Sequence, residues 1–153
     1  MRQFAYGLAL ICCFAAPPRL PAATGSVIKV LPYFLDYKGR HTVSPNLFER
    51  DSYQAYLRKN PKLCTGMKFD IQWKNKGDST NLKLKIEMRG VAQGNLPKEF
   101  VLEQKIEPSG WLGHWTGIPF AGPEYKSFGE VTAWRVTLWD GDQLLGHQQS
   151  FLW

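Results

Sequence analysis

The sequence predicts a mainly β domain, an antiparallel sandwich of about seven strands with one short helix between the first two. Three observations point that way. Apolar and charged residues alternate with a period of two over long stretches beyond residue 25, the pattern of strands wet on one face. Breaks rich in Gly, Pro, Asn and Asp interrupt those stretches at short intervals. Helix signals are confined to Ser44–Asn60.

The elements follow in order. Val27–Leu35 is rich in β-branched and aromatic residues but contains Pro32, so an edge position or a kink is expected. The helix opens at Ser44-Pro45-Asn46-Leu47-Phe48-Glu49. Either Asn46 caps it, with Glu49 three residues on, or Ser44 caps it and Pro45 takes the first helical position. Asn60-Pro61 stops it. Phe48, Tyr53, Tyr56 and Leu57 can share a face, and these aromatics are expected in the core, with the helix across an open end of the sandwich. Met67, Phe69, Ile71 and Trp73 alternate with Lys68, Asp70, Gln72 and Lys74, and Leu82, Leu84, Ile86 and Met88 alternate with Lys83, Lys85, Glu87 and Arg89. With the turn-rich Asn75–Asn81 between them, residues 66–74 and 82–90 predict a hairpin. Glu99–Glu107 and Trp115–Phe120 are weaker strands. Val131–Trp139 and Gln143–Trp153 predict a second hairpin. Turning on Gly141-Asp142, or on a four-residue loop from Asp140 to Gln143, sets Leu138 opposite Leu145 and Trp139 opposite Leu144, which pairs like with like. In that register Phe151 and Trp153 fall on the side of Leu145, where burial would hold the last strand down.

The first residues carry an address. Met1-Arg2-Gln3 is basic, Phe4–Ala16 is apolar and uncharged, and Pro17, Pro18 and Pro21 precede Ala22-Ala23-Thr24-Gly25-Ser26. A basic start, a short apolar run and a small-residue exit describe a secretory signal peptide, and the run is too short to span a bilayer. The expected cut follows Ala23, with Ala16 and Gly25 as alternatives, so residues 1–23 are the signal peptide and 24–153 the single domain. Cys12 follows Ile11 rather than a small residue, so no lipid anchor is expected. The predicted destination is secreted or periplasmic, and no transmembrane segment is expected in the mature protein.

Cleavage takes Arg2 and Arg19 away, lowering Lys+Arg from 19 to 17 against 13 Asp+Glu, a net charge of +4. Of three cysteines it leaves Cys64 alone, which is buried or pairs with a second chain. About 130 residues suffice for one hydrophobic core.

At the level of fold, residues 26–153 resemble the secreted immunoglobulin-like and fibronectin-type-III-like sandwiches. The Cys…Trp…Cys pattern of antibody domains is missing, since Cys64 stands alone. The resemblance implies architecture and no activity.

Converging chemical groups are not evident. His41, His114 and His147 are isolated, and no H-E-x-x-H, C-x-x-C, G-x-S-x-G or phosphate-binding loop occurs. Asp140 and Asp142 read as turn residues rather than a calcium loop. No catalytic residue, cofactor or metal is expected, and the protein is read as no enzyme. Two features can support binding. Lys68, Lys74, Lys83, Lys85 and Arg89 would line one basic face of the 66–90 hairpin, or simply form a solvated sheet face. Trp111, Trp115 and Tyr125 lie in a Gly- and Pro-rich segment, where exposed rings can stack on sugars or anchor a protein or else pack beneath the loops. The expectation is a non-enzymatic binding domain for a protein or polysaccharide partner and not for nucleic acid. The alternatives are a structural subunit of an envelope assembly that pairs through strand edges, and a hydrolase.

Overall fold

A computed structural model describes residues 23–92, 96–108 and 112–153. The predicted leader up to Ala22, with Cys12 and Cys13, lies outside them.

The described residues form seven strands in two antiparallel sheets: β1 (Thr24–Leu35), β2 (Gly66–Lys76), β3 (Leu82–Ala92), β4 (Leu96–Lys105), β5 (His114–Ala121), β6 (Glu130–Asp140) and β7 (Gln143–Gln149). One sheet has the order β1-β2-β5 and the other β4-β3-β6-β7. This is the expected immunoglobulin-like sandwich. Helix α1 (Leu47–Lys59) joins β1 to β2, as expected, and a one-turn helix α2 (Pro123–Phe128), which the sequence reading did not anticipate, joins β5 to β6. Its signals are Pro123 at the start and Gly129 just past the end.

The core lies between the sheets. Phe69, Ile71 and Trp73 of β2 meet Leu84, Ile86 and Met88 of β3, with Val136 and Leu138 of β6, all almost completely buried. Each strand therefore buries the apolar half of its alternation, as read. The partner strand was misread. β2 pairs with β1 and β5, and β3 with β4 and β6, so residues 66–74 and 82–90 are no hairpin. Alternation states which face of a strand is dry but not which neighbour it bonds, and residues 77–81 carry the chain across the roughly 10 Å between sheets. The predicted basic face falls with the hairpin. Since β2 and β3 point their apolar sides at each other, Lys68 and Lys74 lie on one outer surface of the sandwich, and Lys83, Lys85 and Arg89 on the opposite one.

β1 is an edge strand, as Pro32 predicted. A register shift between Val27 and Lys29 leaves Ile28 exposed, so its dry positions Val27, Val30 and Tyr33 depart from strict alternation. Along one side of the sandwich β1 meets β7. A side-chain carbon on Gly146 would stand 2.8 Å from Ser26 Cα, so only glycine admits this approach. On the other side β4 and β5 leave a seam, bridged by Phe100 and Phe120 at 4.9 Å between ring centroids.

The final hairpin turns on Gly141-Asp142, with Gly141 at φ 57° and Trp139 opposite Leu144. A bulge then sets Leu138 opposite Gly146 rather than Leu145. β7 ends at Gln149, and the expected burial of the last aromatics is not found: Phe151 is fully exposed. Ser150 closes the strand, its N–H donating to Trp134 O at 2.9 Å and its Oγ accepting from Trp134 N at 3.0 Å. The chain then folds back so that Trp153 lies on the guanidinium groups of Arg89 (4.1 Å) and Arg135 (4.7 Å) on the outer sheet face. Cation–π stacking, worth roughly 0.5–1 kcal/mol where exposed, takes the place of burial.

Helix α1 is capped by Asn46, whose Oδ1 accepts from Phe48 N at 2.9 Å. Its aromatics are not core: Phe48 and Tyr56 face solvent, and Gln54 and Leu57 are the buried positions. The helix docks through the almost completely buried Leu57 and through a polar anchor on the backbone of β1. Gln54 Oε1 accepts from Phe34 N (2.8 Å), and its Nε2 donates to Phe34 O (3.0 Å) and His41 O (2.7 Å). One amide side chain thus stands in for a strand partner at the free edge of β1.

Beside it, Asp36 is 1 % exposed and knots the loop. Its carboxylate accepts from Lys38 N (2.8 Å), Arg40 N (2.9 Å), Arg40 Nε (3.0 Å) and Tyr53 OH (2.8 Å). Burial alone would raise its pKa; the hydrogen bonds from Arg40, Tyr53 and Lys38 outweigh that and hold it at about 2, below the usual 3.8. A depressed carboxyl pKa stabilises the fold above the unfolded value, and the contribution disappears as pH falls from about 4 through 2. Asp36→Asn should therefore cost about 2 kcal/mol at neutral pH and flatten the acid limb of stability over that window. Urea unfolding at several pH values reads both, and parallel acid limbs for the two proteins would assign the acid sensitivity to other groups.

Candidate functional site

A groove of about 460 Å³ opens along the β4–β5 seam. Its floor includes Trp73. One wall is the outer edge of β5, with His114, Trp115, Thr116 and Gly117; the other is the end of β4 and the segment after it, from Gln104 to Pro108. That second wall is anchored by Ile106 N donating to Leu82 O at 3.1 Å. Trp73 is fully buried yet polar at one atom, and its Nε1 donates to Thr116 Oγ1 at 2.9 Å. His114 packs against the Trp73 ring, centroids 6.0 Å apart. Trp115 is 47 % exposed. The groove thus combines an exposed indole with the amide of Gln104, the imidazole of His114 and two opposite charges, Lys105 and Glu107. Such a surface can stack on a flat or ring-shaped ligand while directing hydrogen bonds at its rim.

Of the three expected ligand-contacting aromatics, Trp115 lines this groove. Trp111 lies outside the described residues. Tyr125 is a packing residue: half-buried on α2, its ring meets Phe120 edge-on at 5.7 Å. Burial foremost, with the neighbouring Cys64 and Glu130, pushes its hydroxyl up to about 12. The basic residues are split between two surfaces and mostly paired across or along strands: Lys68–Asp70 at 2.8 Å, Lys83–Glu103 at 3.7 Å, Lys85–Glu87 at 3.4 Å and Arg89–Glu99 at 3.3 Å. Arg135 joins Glu87 at 2.8 Å, an arginine the sequence reading left out. Together these form a mixed-charge lattice rather than a basic face.

The remaining reactive groups stay apart. His41 sits in the loop before α1 against Tyr33, His114 is on β5 and His147 on β7. Cys64 is buried, its Sγ 3.5 Å from Leu57 O, and burial pushes its thiol pKa up, away from the thiolate a nucleophile needs. Asp140 ties down the loop before β3 by accepting from Asn81 N at 3.1 Å. No cluster of three or more His, Cys, Asp or Glu suited to a metal ion occurs among the described residues, and no helix among them is long and apolar enough to cross a membrane.

The sequence reading missed the groove's polar members, Gln104, Lys105, Glu107 and His114. They belong to two segments that meet only through the crossing from β4 to β5, and no local spacing marks them.

No protein-family model matches the chain, and no curated protein is similar enough in sequence to count as a relative. Among solved structures it is similar to an immunoglobulin-like protein from Pseudomonas aeruginosa, with 17% identity, a TM-score of 0.39, and coverage of 82% of this chain and 93% of that one.

Proposed function

We propose that this is an exported, non-enzymatic binding domain that takes a segment of a partner, an extracellular polymer or a protein, in the groove beside Trp115. The observation that carries the reading is the half-exposed indole, set among uncharged and oppositely charged polar groups along a strand edge. Lys105 and Glu107 offset each other, which favours an uncharged ligand such as a polysaccharide over a polyanion, nucleic acid included. The scattered histidines and the buried thiol support binding over catalysis. The leader-like pattern of residues 1–23 supports export. A cut after Ala23 spares every strand, whereas one after Gly25 would remove the pairs Thr24–Lys76 and Gly25–Asn75.

Titration of tryptophan fluorescence with soluble glycans and cell-envelope polymers tests the site. A saturable shift is expected, weakened at least about fivefold in Trp115→Ala, since stacked aromatics contribute roughly 1 kcal/mol or more. Saturable binding that the variant leaves unchanged would move the ligand off the groove.

Strand-edge pairing with another subunit is a second reading, favoured by the unpaired edges of β4 and β5. Pro97 and Pro119 interrupt those edges and count against a long added strand.

A further inference from the structure

The excess positive charge of the domain is local. Residues 36–65, the crossing from β1 to β2 that holds α1, contain six Lys and Arg against three Asp and Glu, while residues 66–153 carry equal numbers of each. Within this cap Arg40 is held by Asp36 and Arg50 by Asp51. Lys38, Arg58, Lys59 and Lys62 are exposed, and no ion pair engages them among the described residues. The same cap exposes apolar side chains: Phe48 at 79 %, Leu47 at 65 %, with Tyr37, Val43 and Tyr56. Phe48, Ser52, Ala55 and Lys59 recur at helical spacing and are all exposed, so one stripe of α1 runs from an aromatic end to a basic end. Helix-dipole complementarity accounts for basic residues in the last turn; it leaves Leu47 and Phe48 on the outside unexplained.

We infer that this cap is a docking surface for an anionic lipid bilayer, with Phe48 and Leu47 entering the headgroup region and Lys38, Arg58, Lys59 and Lys62 resting on the lipid phosphates. Charge complementarity selects an anionic surface. The form of the apolar set selects a membrane over a folded partner: Phe48 stands on the exposed stripe of α1 and Leu47 is exposed at the first residue of the same helix, where a fluid interface can receive them without a matching pocket. The surface is separate from the groove beside Trp115, toward the opposite end of β2 from Trp73, and a membrane-docked cap would leave that groove open.

The test uses the full chain with vesicles of phosphatidylcholine mixed with phosphatidylglycerol, against vesicles of phosphatidylcholine alone. Co-sedimentation should favour the anionic vesicles. The triple variant Arg58→Gln, Lys59→Gln, Lys62→Gln should weaken it on the order of 100-fold, and Phe48→Ser should weaken it as well, each with an unaltered circular dichroism spectrum. Hydrogen exchange read by mass spectrometry locates the contact independently of residues 1–23: slowed exchange is expected across residues 37–63 on anionic vesicles. Equal slowing of the cap on neutral vesicles, wild-type protection of the cap in both variants, or slowed exchange only outside the cap would overturn the assignment. Capture of an acidic protein by the cap without any vesicle binding would overturn it too, in favour of a protein partner.

Discussion

Phe120→Ala should lower stability by about 3–5 kcal/mol, the usual range for emptying an aromatic site in a packed interior. Phe120 is the hub of four rings drawn from both sheets and from α2. It lies 4.9 Å from Phe100, 5.5 Å from Phe128 and 5.7 Å from Tyr125, centroid to centroid. Those partners sit on β4 and α2, so the cavity left by the substitution could not collapse without moving separate elements. The cluster is also what spans the seam, since Phe100 and Phe120 belong to the two strands that border the groove. Urea unfolding gives the cost directly. Phe151→Ala, at a fully exposed position, is the control and should stay within about 0.5 kcal/mol. Equal small costs for both would show that the seam relaxes freely around the missing ring.

Gly129→Ala should be worse tolerated than its size suggests, with a loss of roughly 3 kcal/mol or more. Two causes act at once. Gly129 holds φ 89° and ψ −144°, a region that residues with a Cβ avoid. A Cβ there would also run into the backbone of Val91 and lie 3.0 Å from Ala92 Cα. Since that obstacle is main chain of β3, no rotamer change relieves it. The residue ends α2 and delivers the chain into β6, so the clash would pull Phe128 from its place against Phe120. Thermal melting and soluble yield check the expectation; a melting temperature matching the unsubstituted protein would mean that β3 shifts at no cost.

The strands were legible because burial on one face writes itself into alternate positions: Phe69, Ile71 and Trp73, or Leu84, Ile86 and Met88, read the same in sequence and in structure. Pairing was not legible, because Lys68 and Lys83 occupy equivalent wet positions whether their strands are neighbours or lie on opposite sheets. Helix α1 shows a different limit. Its length and Asn46 cap are local and could be read, but its docking depends on Gln54 bonding the backbone of Phe34, twenty positions away. Hydrophobic periodicity cannot report a polar anchor, and it assigned Phe48 and Tyr56 inward. Trp153 illustrates the same point, for it rests on two arginines rather than among apolar side chains. At the groove, Trp115 stood out by residue type, whereas Lys105 and Glu107 became neighbours of His114 only once β4 and β5 had closed on each other.

The contact of β1 with β7 has a kinetic consequence. Ser26 and Gly146 are far apart in sequence, and loop closure over such separations is slow. A chain emerging from its amino-terminal side can form the β1–β2 pair early, since α1 is a local link. The apolar side of that pair, with Val30, Phe69, Ile71 and Trp73, then has no cover until β3 and β6 have followed, and β1 has no second neighbour until residue 146 arrives. Throughout that interval the nascent ribbon is adhesive and its edge is open to other chains. Cover for that face and that edge therefore comes only with the completed chain, so the vulnerable interval lasts until the final hairpin has formed.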